Sequence, residues 1–444
     1  MNFYETKMKT KMKIIIISLT IFLTTVSFGQ QLQKDNLTLK DVIKLTVENH
    51  PLIKQKQEEL RGAEFRVEQQ KSSYLPNVVG QASYTRIGPI PEFSFGGPAI
   101  ELAPANNYSI GVFVHQTLYD FGKRDAQVDY TSSFLQSIKD NEELVKTDLS
   151  DQAIKIFYGI LFLEKSIAVK DTQFAALQEH LRVTEIKIKD YAATDYDVLS
   201  TKTRMMEIKN EKIELLNEKN KQEQYLKELI GVDRKREILL SGNFNLPEFS
   251  FNEDSLLNLA NNQRQELKSA MDISQSAVMQ KEMLSKNDNL IFNADVGYGF
   301  KNGYEPNLFV MRGNWFASVS ASVPIFNGNL TENKINESMA TIKMDEEKIN
   351  QIKESIKTDV YQSLSDLKSS TEKIKSTSEQ IEYAKKSLEL AKIQYERGVV
   401  TNLEVLDAET ALAQARLLNI QALYKSIINY YALRRAAGDK VYSY

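Results

Sequence analysis

The stretch from Trp315 to Ala437 constrains the fold most, because it changes period once and keeps the new period almost to the end of the chain. It opens Trp315-Phe-Ala-Ser-Val-Ser-Ala-Ser-Val-Pro-Ile-Phe-Asn-Gly328, with Trp315, Ala317, Val319, Ala321 and Val323 on one side and Phe316, Ser318, Ser320 and Ser322 on the other. A period of two describes a strand with one apolar and one small, mostly polar face. Gly328 breaks the pattern, and no proline follows it. Isoleucine then recurs every seventh residue at Ile335, Ile342, Ile349 and Ile356; after a step of four the stripe resumes at Val360, Leu367, Ile374, Ile381, Leu388 and Tyr395. Beyond the break Glu396-Arg-Gly-Val-Val-Thr401, a second helix spaces Leu403, Leu406, Thr410, Ala413, Leu417, Ile420, Tyr424, Ile427 and Tyr431 at alternating threes and fours. That is coiled-coil spacing, and the first helix would be roughly 100 Å long. A strand feeding a helix of that length does not describe a globular domain. The step of four is a stutter, which predicts nearly straight packing near Ile356 and Val360 and ordinary coiled-coil packing toward Tyr395.

The same plan occurs earlier in the chain. Leu118-Tyr-Asp-Phe-Gly122 ends a strand and opens a long helix as Gly328 does, and Thr194-Asp-Tyr-Asp-Val-Leu199 opens the returning helix as Thr401-Asn-Leu-Glu-Val-Leu406 does. The two pairs of landmarks share nearly one offset, which predicts an internal duplication: a first repeat over 30–235 and a second over 236–444. Residues 38–75 read as helix, with Thr38 as cap and a break at Pro51. Asn77–Arg86 and Tyr108–Leu118 read as strands around a proline- and glycine-rich loop, and in the second half Ser255–Leu284 is helix-compatible and Phe292–Phe300 a strand. Four strands result. Residues 1–29 read as a signal peptide: Lys7, Lys9, Lys11 and Lys13 precede an apolar run from Ile14 to Leu23, and Ser27 and Gly29 are small enough for cleavage before Gln30.

Composition removes several function classes. The 56 basic and 59 acidic residues nearly balance, so nothing asks for nucleic acid. The chain has no cysteine, which excludes disulfides, thiol catalysis and thiolate metal sites. His50, His115 and His180 lie far apart without ligand spacing, and there is neither a phosphate loop nor a serine elbow. The reading is a non-enzyme without a cofactor or metal.

Four short strands cannot close a membrane barrel, since about eight is the smallest common number, and open edges are not tolerated in lipid. Three chains contributing four strands each would close one, with Tyr108, Tyr304 and Trp315 near strand ends where an aromatic girdle belongs. One alternative is a small soluble sheet packed on helices; another is a periplasmic coiled-coil adaptor or structural protein without a membrane barrel, which would not need an alternating strand pair in each half.

Three segments carry a resemblance: Gln116-Thr-Leu-Tyr-Asp-Phe-Gly122, Val323-Pro-Ile-Phe-Asn-Gly328, and Tyr395-Glu-Arg-Gly-Val-Val-Thr-Asn-Leu-Glu-Val-Leu-Asp-Ala408. Through them the chain resembles the TolC-like outer-membrane factors, the exit ducts of tripartite efflux and type I secretion systems. The resemblance implies a fold of mostly α with β. Duplicated strand–long helix units would form a homotrimer with a 12-stranded β-barrel in the outer membrane of a Gram-negative bacterium, continued by a long α-helical barrel in the periplasm. It also implies a periplasmic adaptor and an inner-membrane pump as partners, and loops Ile87–Asn107 and Lys301–Asn314 outside the cell. The third segment resembles the family's periplasmic tip. There Glu404 and Asp407 would form acidic rings, with Tyr395 beside them in the gate. Arg397, Gly398, Val399 and Val400, with Tyr191, Ala192, Ala193 and Thr194 of the first repeat, would be the turns an adaptor grips. The chain departs from the family pattern at Val400, where some relatives have a basic residue, at Tyr191, which stands where the second repeat has Gly398, and near Asn289, which lacks a match to Pro76. It also lacks the cysteine of lipid-anchored relatives. Thr401-x-x-Glu404 is in addition a capping box, repeated approximately by Thr194-x-x-Asp197.

Overall fold

The computed structural model describes residues 35–97, 99–246 and 252–440; the signal peptide expected over 1–29 lies outside them. The first half runs β1 (Asp35–Leu37), α1 (Leu39–Asn49), α2 (Pro51–Lys71), β2 (Asn77–Arg86), β3 (Glu92–Phe93), β4 (Ile100–Glu101), β5 (Asn106–Tyr119), α3 (Lys123–Lys189) and α4 (Asp195–Leu229). The second runs β6 (Ile238–Leu240), α5 (Glu253–Gln263), α6 (Gln265–Ser285), β7 (Ile291–Lys301), β8 (Arg312–Ser322), α7 (Leu330–Glu396) and α8 (Asn402–Ala436). Corresponding helices have equal lengths: 11 residues for α1 and α5, 21 for α2 and α6, 67 for α3 and α7, 35 for α4 and α8.

Local chemistry accounts for most helix ends. Thr38 caps α1 in a full capping box with Asp41, and at the break His50 accepts the Leu52 N–H on Nδ1 at 3.2 Å while Pro51 occupies the first helical position. The equivalent break in the second half corrects the reading of one helix over Ser255–Leu284. Arg264 takes φ −59 and ψ 123 there with no proline to enforce it. Instead its guanidinium donates to Glu266 at 3.0 Å, Asp359 at 3.1 Å and the Ala436 carbonyl at 3.3 Å. Contacts from distant parts of the chain hold this kink, so no local signal marks it.

The main sheet has the order β2-β5-β7-β8, antiparallel throughout, with β2 and β8 as its edges. Two further short pairs, β1 parallel to β6 and β3 antiparallel to β4, raise the strand count above the four expected; two or three residues are too few to show a period. Register divides the main sheet cleanly. One face carries Val78, Tyr84, Tyr108, Ile110, Val112, Val114, Val296, Tyr298, Phe300, Trp315 and Val319, and among the described residues no helix covers it: Trp315 is 76% exposed and Val319 71%. The other face is mainly polar, with Ser83 bonded to Ser109, Thr117 to Asn293 and His115 to Asp295. Phe316, on this second side by parity, packs toward Phe113.

Strand turns to helix at Gly122 (φ 80) and Gly328 (φ 68), left-handed positions that glycine adopts without strain. Arg124 secures the first junction by bonding Asp120 at 2.7 Å and the carbonyls of Ser73 and Thr117; at the second, Asn327 and Thr331 both bond Asp288. Where α1, α2, α5 and α6 lie against the long helices, two cores form. One joins Val42, Ile43 and Ile53 to Ile154, Phe157 and Leu226. The other joins Leu256, Ala260 and Leu267 to Ile356, Val360 and Leu433. The step of four in the α7 stripe therefore falls where α7 is covered by α5 and α6 as well as by α8.

Candidate functional site at the hairpin tips

Each long helix ends in a tight turn of one design. In the first, Tyr191 takes φ 57 and the Ala192 N–H returns to the Lys187 carbonyl at 2.8 Å. In the second, Gly398 takes φ 74 and the Val399 N–H returns to the Gln394 carbonyl at 2.9 Å. Both are left-handed helix stops that satisfy otherwise free carbonyls. Thr194 and Thr401 then cap α4 and α8 in full capping boxes with Asp197 and Glu404. Ala192 and Ala193 of the first turn match Val399 and Val400 of the second in position. Tyr191, Tyr196, Val399 and Leu403 present exposed apolar surface at the tips, while Arg397 closes α7 as its C-cap.

The acidic residues differ in circumstance. Glu404 Oε2 accepts the Thr401 N–H at 2.7 Å and its hydroxyl at 2.9 Å, and the backbone bond, then the hydroxyl, lowers the carboxyl below its usual range. Asp407 is exposed, and among the described residues no hydrogen bond ties it down. Tyr395 is inside the chain's own helix contact, only 6% exposed, with Val405, Leu388 and Leu412 around it. Its hydroxyl lies 3.3 Å from Thr184 Oγ1, and burial raises its pKa. Lys187 Nζ stands 4.7 Å from the Tyr395 ring centroid and donates to the Tyr395 carbonyl at 2.7 Å and the Glu396 carbonyl at 3.2 Å.

Sequence reasoning missed the polar knot behind the tips. His180, 5% exposed, places Nε2 2.6 Å from Asn402 Oδ1 and its ring 5.1 Å from that of Tyr395. Asn402 Nδ2 reaches the Asp197 carbonyl at 3.2 Å and Ser200 Oγ at 3.1 Å. Nearby, Lys392 pairs at 2.5 Å with Glu409, which is buried. Burial, then Lys392, lowers the His180 pKa, against the Asn402 bond that raises it. A polar residue just after a cap gave the only local hint, and Asn at that position also reads as ordinary capping chemistry. Leu403, expected on the seam, is 62% exposed, while Val405 is fully buried. The reason is that α8 lies on α3 as well as α7, which rotates its buried face away from Leu403.

Among the described residues no acidic or histidine group could hold a metal ion, and no helix is long and apolar enough to cross a membrane. The family described as outer membrane efflux protein matches the chain over residues 42–232 and 256–439. The chain belongs to the outer membrane efflux protein family. No curated protein matches this efflux protein in sequence. Solved structures match its fold: CusC (TM-score 0.78, 15% identity, 94% of this chain and 96% of that one), the CmeC outer membrane channel of Campylobacter jejuni (0.77, 15%, 93% and 87%), and the outer membrane protein VceC of Vibrio cholerae (0.75, 16%, 90% and 96%). The efflux protein thus has the mostly helical fold of TolC-like outer-membrane channels, and its family is one of transport ducts rather than enzymes.

Proposed function

We propose that this chain is one third of a passive exit duct in the outer membrane of a Gram-negative bacterium, serving a tripartite efflux or type I secretion system. The observation that carries this reading is the sheet. Among the described residues it has two unpaired edges and an exposed apolar face backed by a polar one, which suits lipid outside and water inside. Three copies pair β8 of one with β2 of the next and close 12 strands. The long helices α3, α4, α7 and α8 continue the duct through the periplasm, and the loops between β2 and β5 and between β7 and β8 face outward.

The equal helix lengths support an internal duplication of the halves 30–235 and 236–444. In the trimer the tips converge, so that Glu404 and Asp407 each become a ring of three carboxylates, with Tyr395 holding the inner hairpin from behind. The turns Tyr191–Thr194 and Arg397–Val400 form six similar contact points for the adaptor, which with the inner-membrane pump opens the tip. A coiled-coil adaptor or structural protein has no use for a bare two-faced sheet. The deciding experiment is fractionation: SDS-resistant trimers in the outer membrane are expected, and a soluble periplasmic monomer overturns the duct.

A further inference from the structure

Across the polar face of the main sheet, one row is apolar. Val79 pairs with Phe113, Phe113 with Gly297, and Gly297 with Phe316. The two rings stand 6.1 Å apart with planes tilted 34°, and they roof Gly297: a Cβ there would meet Phe113 Cδ1 at 2.8 Å and collide with the Phe316 ring as well. The glycine lets the rings lie along the wall, so they line the inner surface instead of obstructing it. One step toward the helices on the same face, about 7 Å away, His115 pairs with Asp295. The Nδ1 of His115 is 2.7 Å from Oδ1 of Asp295, and the carboxylate is over a third exposed. The basic residues on this face, Lys301 and Arg312, are two steps away in the other direction. They are occupied by the Tyr304 ring at 5.0 Å and the Glu305 carbonyl at 2.8 Å. Apolar surface and a carboxylate are therefore adjacent, and the nearest arginine toward the helices, Arg124, is held by Asp120 and the Thr117 carbonyl.

We propose that this row is a transit site for amphiphilic organic cations. The apolar body lies on Phe113, Phe316 and Val79, whose ring faces also attract positive charge, and the cationic head meets Asp295. The inference rests on the barrel reading, in which this face is the lumen and the row recurs three times around it. A flat aromatic site with a single acid beside it binds weakly and releases readily, as a duct requires.

The test records potassium current through purified trimers in planar bilayers, with tetraphenylphosphonium, tetramethylammonium or tetraphenylborate added on the loop side. Tetraphenylphosphonium alone is expected to give resolvable blocking events. Asp295→Asn, and the pair Phe113→Leu with Phe316→Leu, should each shorten them about ten-fold while the unblocked current stays near that of the parent. If the Leu pair does not assemble, Phe316→Leu alone, which keeps Phe113 over Gly297, is read instead. Blocks unchanged in these variants, or equal blocks by tetraphenylborate, overturn the proposal and leave the rings as a cover for Gly297. A parent that is monomeric and does not conduct overturns the duct reading, and this site with it.

Discussion

His180 and Asn402 are separated by 222 positions and meet through a 2.6 Å hydrogen bond that ties the second hairpin tip to the first. The Asn402 amide nitrogen is spent on the Asp197 carbonyl and Ser200, so its oxygen faces the ring and His180 donates from Nε2 as a neutral imidazole. Five side chains from three helices thus converge behind the turn: His180, Thr184 and Lys187 on α3, Tyr395 on α7 and Asn402 on α8.

Replacing Asn402 with Leu strands the His180 donor in a buried place. The expected loss is about 1–3 kcal/mol of local stability, seen as faster amide exchange over both tips with the cores near Phe157 and Val360 unchanged. Uniform protection across the tips would show that the knot is not holding them.

Acidification should loosen the same contact. The folded-state pKa of His180 lies below its ordinary value of 6.5, burial being the main cause. The unfolded or undocked state therefore takes up protons first as pH falls. The knot is fully formed above about pH 6.5 and weakens progressively below it. Lys392, Glu409 and Asp197 face the ring; Lys392 adds to the penalty for a charged imidazole, and the two carboxylates oppose it without outweighing burial. Exchange at the tips compared at pH 7.5 and 5.5 should accelerate in the parent after correction for intrinsic rates, and should not do so in His180→Gln, which keeps a donor but cannot titrate.

Tyr191 holds a left-handed backbone that Gly398 holds without strain in the second tip. Tyr191→Gly should raise stability by about 0.5–1 kcal/mol, read as a higher unfolding temperature of the helical region. A fall in that temperature would mean that the exposed ring contributes packing in the assembled protein.

Asp407→Asn should reduce cation preference and block by a trivalent cation from the tip side, with little change in stability. Glu404→Gln keeps an acceptor for the Thr401 cap and should alter the current less. Parental conductance and block in Asp407→Asn would remove the acidic ring from the gate.

Val399 is 69% exposed at the second tip. Val399→Glu should abolish export while trimers and membrane insertion persist, because it puts a charge on the apolar turn proposed to meet the adaptor. Export at the parental level would place the adaptor contact elsewhere.

The sequence alone determined the long helices, the four strands of the main sheet and most of their ends. Heptads from Ile335 to Tyr395, alternation from Trp315 to Val323, glycines at 122 and 328 and the Thr194 and Thr401 caps are all local, because each depends on neighbours within one turn or one pleat. Tertiary structure decided which partner each face meets. The period of α8 is visible in the sequence, yet Val405 rather than Leu403 is buried, since two helices share its face. The kink at Arg264 depends on Asp359 and on the Ala436 carbonyl, and the knot at His180 on Asn402. The row of Val79, Phe113 and Phe316 exists only once β2, β5, β7 and β8 are in register. Periodicity records that a face is apolar and cannot record what covers it, and a polar contact between residues far apart in the chain leaves no pattern in the residues around either partner.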